Sequence, residues 1–169
     1  MGRRVLKLVG IALIISAILV AAIPATPADA VVLDDYQLDH DSLDKYAGTA
    51  TVVSIPADIK RIGEEAFAGN QNIAQVDTGL GTETIEHGAF ANCPYLYSVV
   101  THEKLEEIGT AAFAGDNNLV SVSLGGGLTK MGYGVFAGCN SLSSITLSPN
   151  NQYFTVSGAG LYNKDGDML

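Results

Sequence analysis

The sequence predicts a repeat solenoid, a right-handed coil of short parallel β-strands with turn, irregular or short helical returns, on three observations. Phe67, Phe90, Phe113 and Phe136 stand 23 residues apart. Around them the blocks IGEEAFAGNQNIAQV, IEHGAFANCPYLYSV, IGTAAFAGDNNLVSV and MGYGVFAGCNSLSSI begin at Ile62, Ile85, Ile108 and Met131. The blocks share five apolar columns: Ile62/Ile85/Ile108/Met131, Ala66/Ala89/Ala112/Val135, the phenylalanines, Ile73/Leu96/Leu119/Leu142 and Val76/Val99/Val122/Ile145. One unit cannot bury these side chains alone, whereas stacked units turn each column into a continuous apolar ladder.

The elements follow in chain order. Arg3, Arg4 and Lys7 precede an uncharged apolar run from Leu8 to Ile23, and Ala28 and Ala30 place small residues before a cleavage point. Residues 1–30 are therefore expected to be an export signal, with the mature chain starting at Val31; the apolar run is shorter than the roughly 20 residues of a membrane span. Residues 31–51 do not continue the 23-residue spacing, since one period before Phe67 falls on Asp44, and they are expected to form an irregular N-terminal cap. Residues 52–147 carry the solenoid, as four 23-residue units. In each, a segment such as Leu119–Leu124 alternates Val122 and Leu124 with Ser121 and Ser123, the pattern of a half-buried strand. Glycine or asparagine at 69, 92, 115 and 138 marks a turn that needs a left-handed residue. Residues 148–169 leave the period, with Phe154–Val156, Leu161-Tyr162 and Asn163–Gly166 reading as a hairpin-like end.

This pattern resembles the BspA-like leucine-rich repeats of secreted and surface proteins of bacteria and some protists. The resemblance rests on VVSIPADIKRIGEEAFAGN and its three successors across residues 52–147. It implies a leucine-rich-repeat solenoid that serves adhesion or ligand binding.

Composition narrows the partners. The chain carries a net charge of −9, and loss of residues 1–30 removes three of nine basic and one of eighteen acidic side chains, so the mature chain is near −11. Such a surface repels phosphate backbones and anionic lipid heads, so no nucleic acid and no membrane contact beyond the signal segment is expected. Cys93 and Cys139 occupy equivalent columns two coils apart. Strands about 4.8 Å apart put them roughly 9.6 Å from each other, beyond the about 7 Å reach of a disulfide; half-buried free thiols are expected. His40, His87 and His102 lie in no motif that prepares a nucleophile, so catalysis is not expected. Asp34, Asp35, Asp39, Asp41 and Asp44, and Asn163, Asp165 and Asp167, lack the twelve-residue calcium-loop pattern, and neither metal nor cofactor is expected.

The function expected is that of a monomeric binding or adhesion module, secreted or held at a bacterial cell surface. Its ligand, a protein or a glycan, would meet the outward strand positions. Tyr97 and Val100 form the centre, with Gln75, Asp77, Ser98, Ser121 and Ser123 around them, while Phe67, Phe90, Phe113 and Phe136 build the core ladder. Charges gather instead before the phenylalanines, at Lys60, Arg61, Glu64, Glu65, Glu83, Glu86, Glu103, Glu106 and Glu107. The alternative is a structural spacer, or a fragment of a longer surface protein, with no ligand of its own.

Overall fold

The computed structural model describes residues 36–157 and 160–166; the expected signal segment, the Val31 start, Asp34, Asp35 and Asp167 lie outside them. The apolar columns wind into a β-solenoid of about five turns with a period of about 23 residues. The returns are turns, and no helix occurs among the described residues.

Each coil contributes to three hydrogen-bonded sides. On the first, β3 (Val52–Ser54), β5 (Gln75–Asp77), β7 (Ser98–Val100), β9 (Ser121–Leu124) and β11 (Ser144–Leu147) form a parallel five-stranded sheet. Its register advances by one repeat per strand: Val53 pairs with Val76, Val76 with Val99, Val99 with Val122, and Val122 with Ile145. The second side was not foreseen. Two-residue strands β4 (Arg61–Ile62), β6 (Thr84–Ile85), β8 (Glu107–Ile108) and β10 (Lys130–Met131) form a second parallel sheet, extended at its start by the hairpin β1 (Tyr36–Asp39) and β2 (Ser42–Tyr46). Two residues are too few for alternation to show in a sequence. The stretch expected as an irregular cap thus contains, in its described part, a hairpin whose second strand pairs Leu43 with Ile62. At the other end, β12 (Phe154–Ser157) and β13 (Gly160–Asn163) pair antiparallel as a separate two-stranded ribbon.

The third side is a ladder of turns. Phe67 N donates to Ala89 O at 2.7 Å, Phe90 N to Ala112 O at 2.8 Å and Phe113 N to Val135 O at 2.9 Å, so this side also binds coil to coil through its backbone. Two left-handed columns make it possible. The foreseen one, Gly69, Asn92, Gly115 and Gly138, has φ of 70°, 59°, 81° and 78°. The second, Glu65, Gly88, Ala111 and Gly134, has φ of 53°, 58°, 56° and 60°, and Glu and Ala at two of its positions hide it from a reading of residue types. An alanine there bears the clash of Cβ with the backbone that glycine avoids. Ala111→Gly is expected to stabilise the fold by about 0.5–1 kcal/mol; a urea melt of the variant with a lower midpoint would contradict the strain assigned to this column.

The rings of Phe67, Phe90 and Phe113 are 1%, 0% and 0% exposed and stack at centroid distances of 4.7 and 5.2 Å, with Phe136 partly buried at the end of the row. Tyr46 continues the row at 4.8 Å from Phe67, and Tyr36 follows at 5.1 Å. The stretch from Tyr46 to Val53 is seven residues against nine from Phe67 to Val76, so Tyr46 stands 21 residues before Phe67 and counting back by 23 misses it.

Candidate functional site

The outward residues of the five-stranded sheet fall into two rows. Gln75, Ser98, Ser121 and Ser144 are in register along one, and Asp77, Val100, Ser123 and Thr146 along the other. Strand alternation produces this, because Val76, Val99, Val122 and Ile145 between the rows point into the core and are at most 8% exposed. Ser121 Oγ donates to Ser98 Oγ at 3.1 Å, which ties adjacent coils across the face. Tyr97 lies immediately before β7 yet keeps its place in the ladder: its N–H donates to Ala74 O at 2.7 Å and its carbonyl accepts from Val120 N at 2.9 Å. Tyr97 is 44% exposed and Val100 39%. The structure therefore brings Gln75, Asp77, Ser98, Val100, Ser121 and Ser123 into the two outward rows and sets Tyr97 at their edge, with an aromatic and an aliphatic side chain open to solvent beside hydroxyls.

Two features of this region escaped the sequence. Tyr95, 60% exposed, stands two residues before Tyr97 and was not counted with it. Asp77 is also already engaged: its Oδ1 accepts from Gly79 N at 2.8 Å and lies 2.6 Å from Nε2 of His102. The two residues are 25 apart, one coil and two positions, so inspection of single columns does not pair them. Burial acts to raise the Asp77 carboxyl, but the hydrogen bonds from His102 and Gly79 outweigh it and leave it below its ordinary value. The same hydrogen bond to Asp77 raises His102, against partial burial and with the help of the Asp77 and Glu103 charges.

The sign of the linkage follows. A raised histidine stabilises fully below its unfolded value of 6.5 and loses this as pH climbs through its folded value; a lowered aspartate stabilises above 3.8 and loses this as pH falls. The pair contributes most between those limits. His102→Asn is expected to cost up to about 1 kcal/mol near pH 5.5 and progressively less above pH 7, measured as paired urea melts; a cost independent of pH would show that the imidazole does not titrate against Asp77.

The acidic flank is a separate surface. Glu83, Glu103, Lys104, Glu106, Gly127 and Thr129 line an open cleft of about 440 Å³ beside the second sheet. Its neighbours are partly neutralised, with Arg61 3.5 Å from Glu86 and Lys130 3.5 Å from Glu107. Among the described residues no group of three His, Cys, Asp or Glu side chains could hold a metal ion. His87 is exposed.

Cys93 and Cys139 are free thiols, but they are buried rather than half-buried, at 0% and 9% exposure. Their column lies under the turn ladder, where the Sγ atoms donate to Phe67 O at 3.2 Å and Phe113 O at 3.0 Å. Burial, with the nearby Asp116 charge, pushes the thiols up to about 12 and about 11, so thiolate chemistry at neutral pH is closed to them.

With the coil geometry in hand, residues 45–157 match six copies of the BspA type leucine-rich repeat region, which is more than half of the chain. The chain belongs to the BspA-type leucine-rich-repeat family. The match starts ahead of the four units spelled out by the phenylalanines, in the hairpin-bearing stretch. No curated protein sequence matches the chain. Among solved structures, a leucine-rich repeat protein of Bacteroides capillosus is similar at a TM-score of 0.59 and 24% identity, covering 70% of this chain and 97% of that one. A leucine-rich repeat protein of Bacteroides ovatus is similar at a TM-score of 0.55 and 27% identity, over 63% of this chain and 28% of its own. The pneumococcal vaccine antigen PcpA is similar at a TM-score of 0.49 and 22% identity, over 74% of this chain and 38% of the antigen. The chain thus spans well under half the length of two of these three proteins.

Proposed function

We propose that this BspA-type chain is an exported recognition module of a bacterial surface, which takes a protein or glycan ligand on the face of its five-stranded sheet. The observation that supports this reading most is the open pair Tyr97 and Val100, set among Gln75, Asp77, Ser98, Ser121 and Ser123 on a backbone fixed by coil-to-coil hydrogen bonds. An exposed aromatic on a rigid element offers large contact area at low entropic cost. Membership in a family of generally non-catalytic repeats favours recognition over catalysis. The alternative, a spacer within a longer surface protein, draws on the small share of the Bacteroides ovatus protein that the chain covers.

The test is a binding screen of residues 31–169 against immobilised matrix proteins and glycans. Tyr97→Ser is expected to weaken a captured ligand by about 2 kcal/mol or more while leaving the melting temperature in place. Absence of any ligand for the isolated chain would favour the spacer.

A further inference from the structure

We infer that the corner between the turn ladder and the five-stranded sheet binds an uncharged polysaccharide, with Tyr95 and Asn118 as its principal contacts beside Tyr97. This rests on the recognition role of the adjoining face and names its ligand class. Tyr95 and Asn118 occupy the same column one coil apart, and Asn118 Nδ2 donates to the carbonyl of Pro94, beside Tyr95, at 2.6 Å. The Asn118 amide is therefore held on the surface next to the backbone that carries Tyr95, with Tyr95 60% exposed and Asn118 also exposed. The neighbouring column is amide as well: Asn140 Nδ2 donates to Asn117 Oδ1 at 2.7 Å, and Asn117 Nδ2 to Gly115 O at 3.2 Å.

Exposed amides ordinarily lose side-chain freedom on binding. These are already fixed by one N–H each, which leaves a second N–H on each and the carbonyl oxygens of Asn118 and Asn140 for a ligand, so the ordering cost is largely met before contact. A pyranose has the complementary form, an apolar C–H face that lies on a ring and a rim of hydroxyls that pair with planar amides. Charge decides among ligands. Tyr95, Tyr97, Asn117, Asn118 and Asn140 carry none, in a chain of net charge −9. A polyanion is repelled by the molecule as a whole, and a basic protein finds its attraction at the glutamate-lined cleft instead. A neutral polymer of sugars meets neither penalty.

Affinity electrophoresis of the full chain through native gels containing mixed-linkage β-glucan, galactomannan, xyloglucan, arabinoxylan or glycol chitin tests this, with polygalacturonate and heparin gels as the charged arm. Retardation is expected in at least one neutral gel and in neither charged one. Tyr95→Ala and Asn118→Ala should each raise the apparent Kd at least tenfold with unchanged melting temperature, and Glu106→Gln should not change it. Retardation only in the charged gels, retardation in none, or retention of affinity by both variants would overturn the inference. Should no polysaccharide bind while a matrix protein binds and is lost in Tyr97→Ser, the recognition role stands and the glycan assignment alone fails.

Discussion

Truncating Phe90 or Phe113 to alanine is expected to cost about 3–5 kcal/mol of folding stability. Each ring is fully enclosed and stacked on both sides, Phe90 between Phe67 at 4.7 Å and Phe113 at 5.2 Å, and Phe113 between Phe90 and Phe136 at 5.7 Å. Removal leaves a cavity that the coils cannot close, because the backbone above and below is fixed by the ladder through Phe67 N, Phe90 N and Phe113 N. Phe136 has a ring partner on one side and is only partly buried, so its truncation should cost less. His87→Ala, at an exposed turn position, should cost under about 0.5 kcal/mol. Urea melts of the four variants check the order; equal costs for Phe113 and His87 would mean that the register of the stack is wrong.

The second large effect is a pH dependence centred on Asp116. Its carboxyl is fully buried in the column of Cys93 and Cys139, with Oδ1 accepting from Cys93 N at 2.7 Å and Oδ2 without a hydrogen-bond partner. Burial raises it to about 8, against the single hydrogen bond from Cys93. The folded chain then keeps a proton that the unfolded chain releases near 3.8, so wild-type stability falls as pH rises from about 4 to about 8 and levels off beyond. Asp116→Asn has no such proton. Whatever its offset at pH 4, the variant should gain at least about 2 kcal/mol on wild type by pH 8. Parallel stability curves across that range would show that water reaches the carboxylate.

The repeat was legible because its five columns hold one kind of side chain: the isoleucines at 62, 85 and 108 and the phenylalanines signal the same inward point at each coil. Of two further inward columns, only Leu124 was legible. Ile55, Thr78, Thr101 and Leu124 form one, and Ile59, Thr82, Leu105 and Leu128 the other, all at most 4% exposed. Their threonines break the apolar signal: Thr82 Oγ1 donates to backbone carbonyls at Thr78 and Ile59 and Thr101 Oγ1 accepts from Gly125 N, while Thr78 Oγ1 is buried without a hydrogen-bond partner among the described residues. Gln75, Asp77, Ser98, Val100, Ser121 and Ser123 were legible from alternation about the inward valines, whereas Tyr97 shares the parity of Val99 and was marked only by its place between the inward columns of Leu96 and Val99. The Asp77–His102 pair, the burial of the thiols and the Tyr95–Asn118 corner were not, because each depends on contacts between coils that a column of residue types does not encode.

The most direct measurement of whether this solenoid recognises ligand by its five-stranded face is a side-by-side titration of one captured ligand against Tyr97→Ser and against the double variant Glu106→Gln/Glu107→Gln. Loss of about 2 kcal/mol or more in the first, with the second unchanged, is the expected result. Affinity that ignores Tyr97 and falls on neutralising the two glutamates would move the site to the acidic cleft and contradict it.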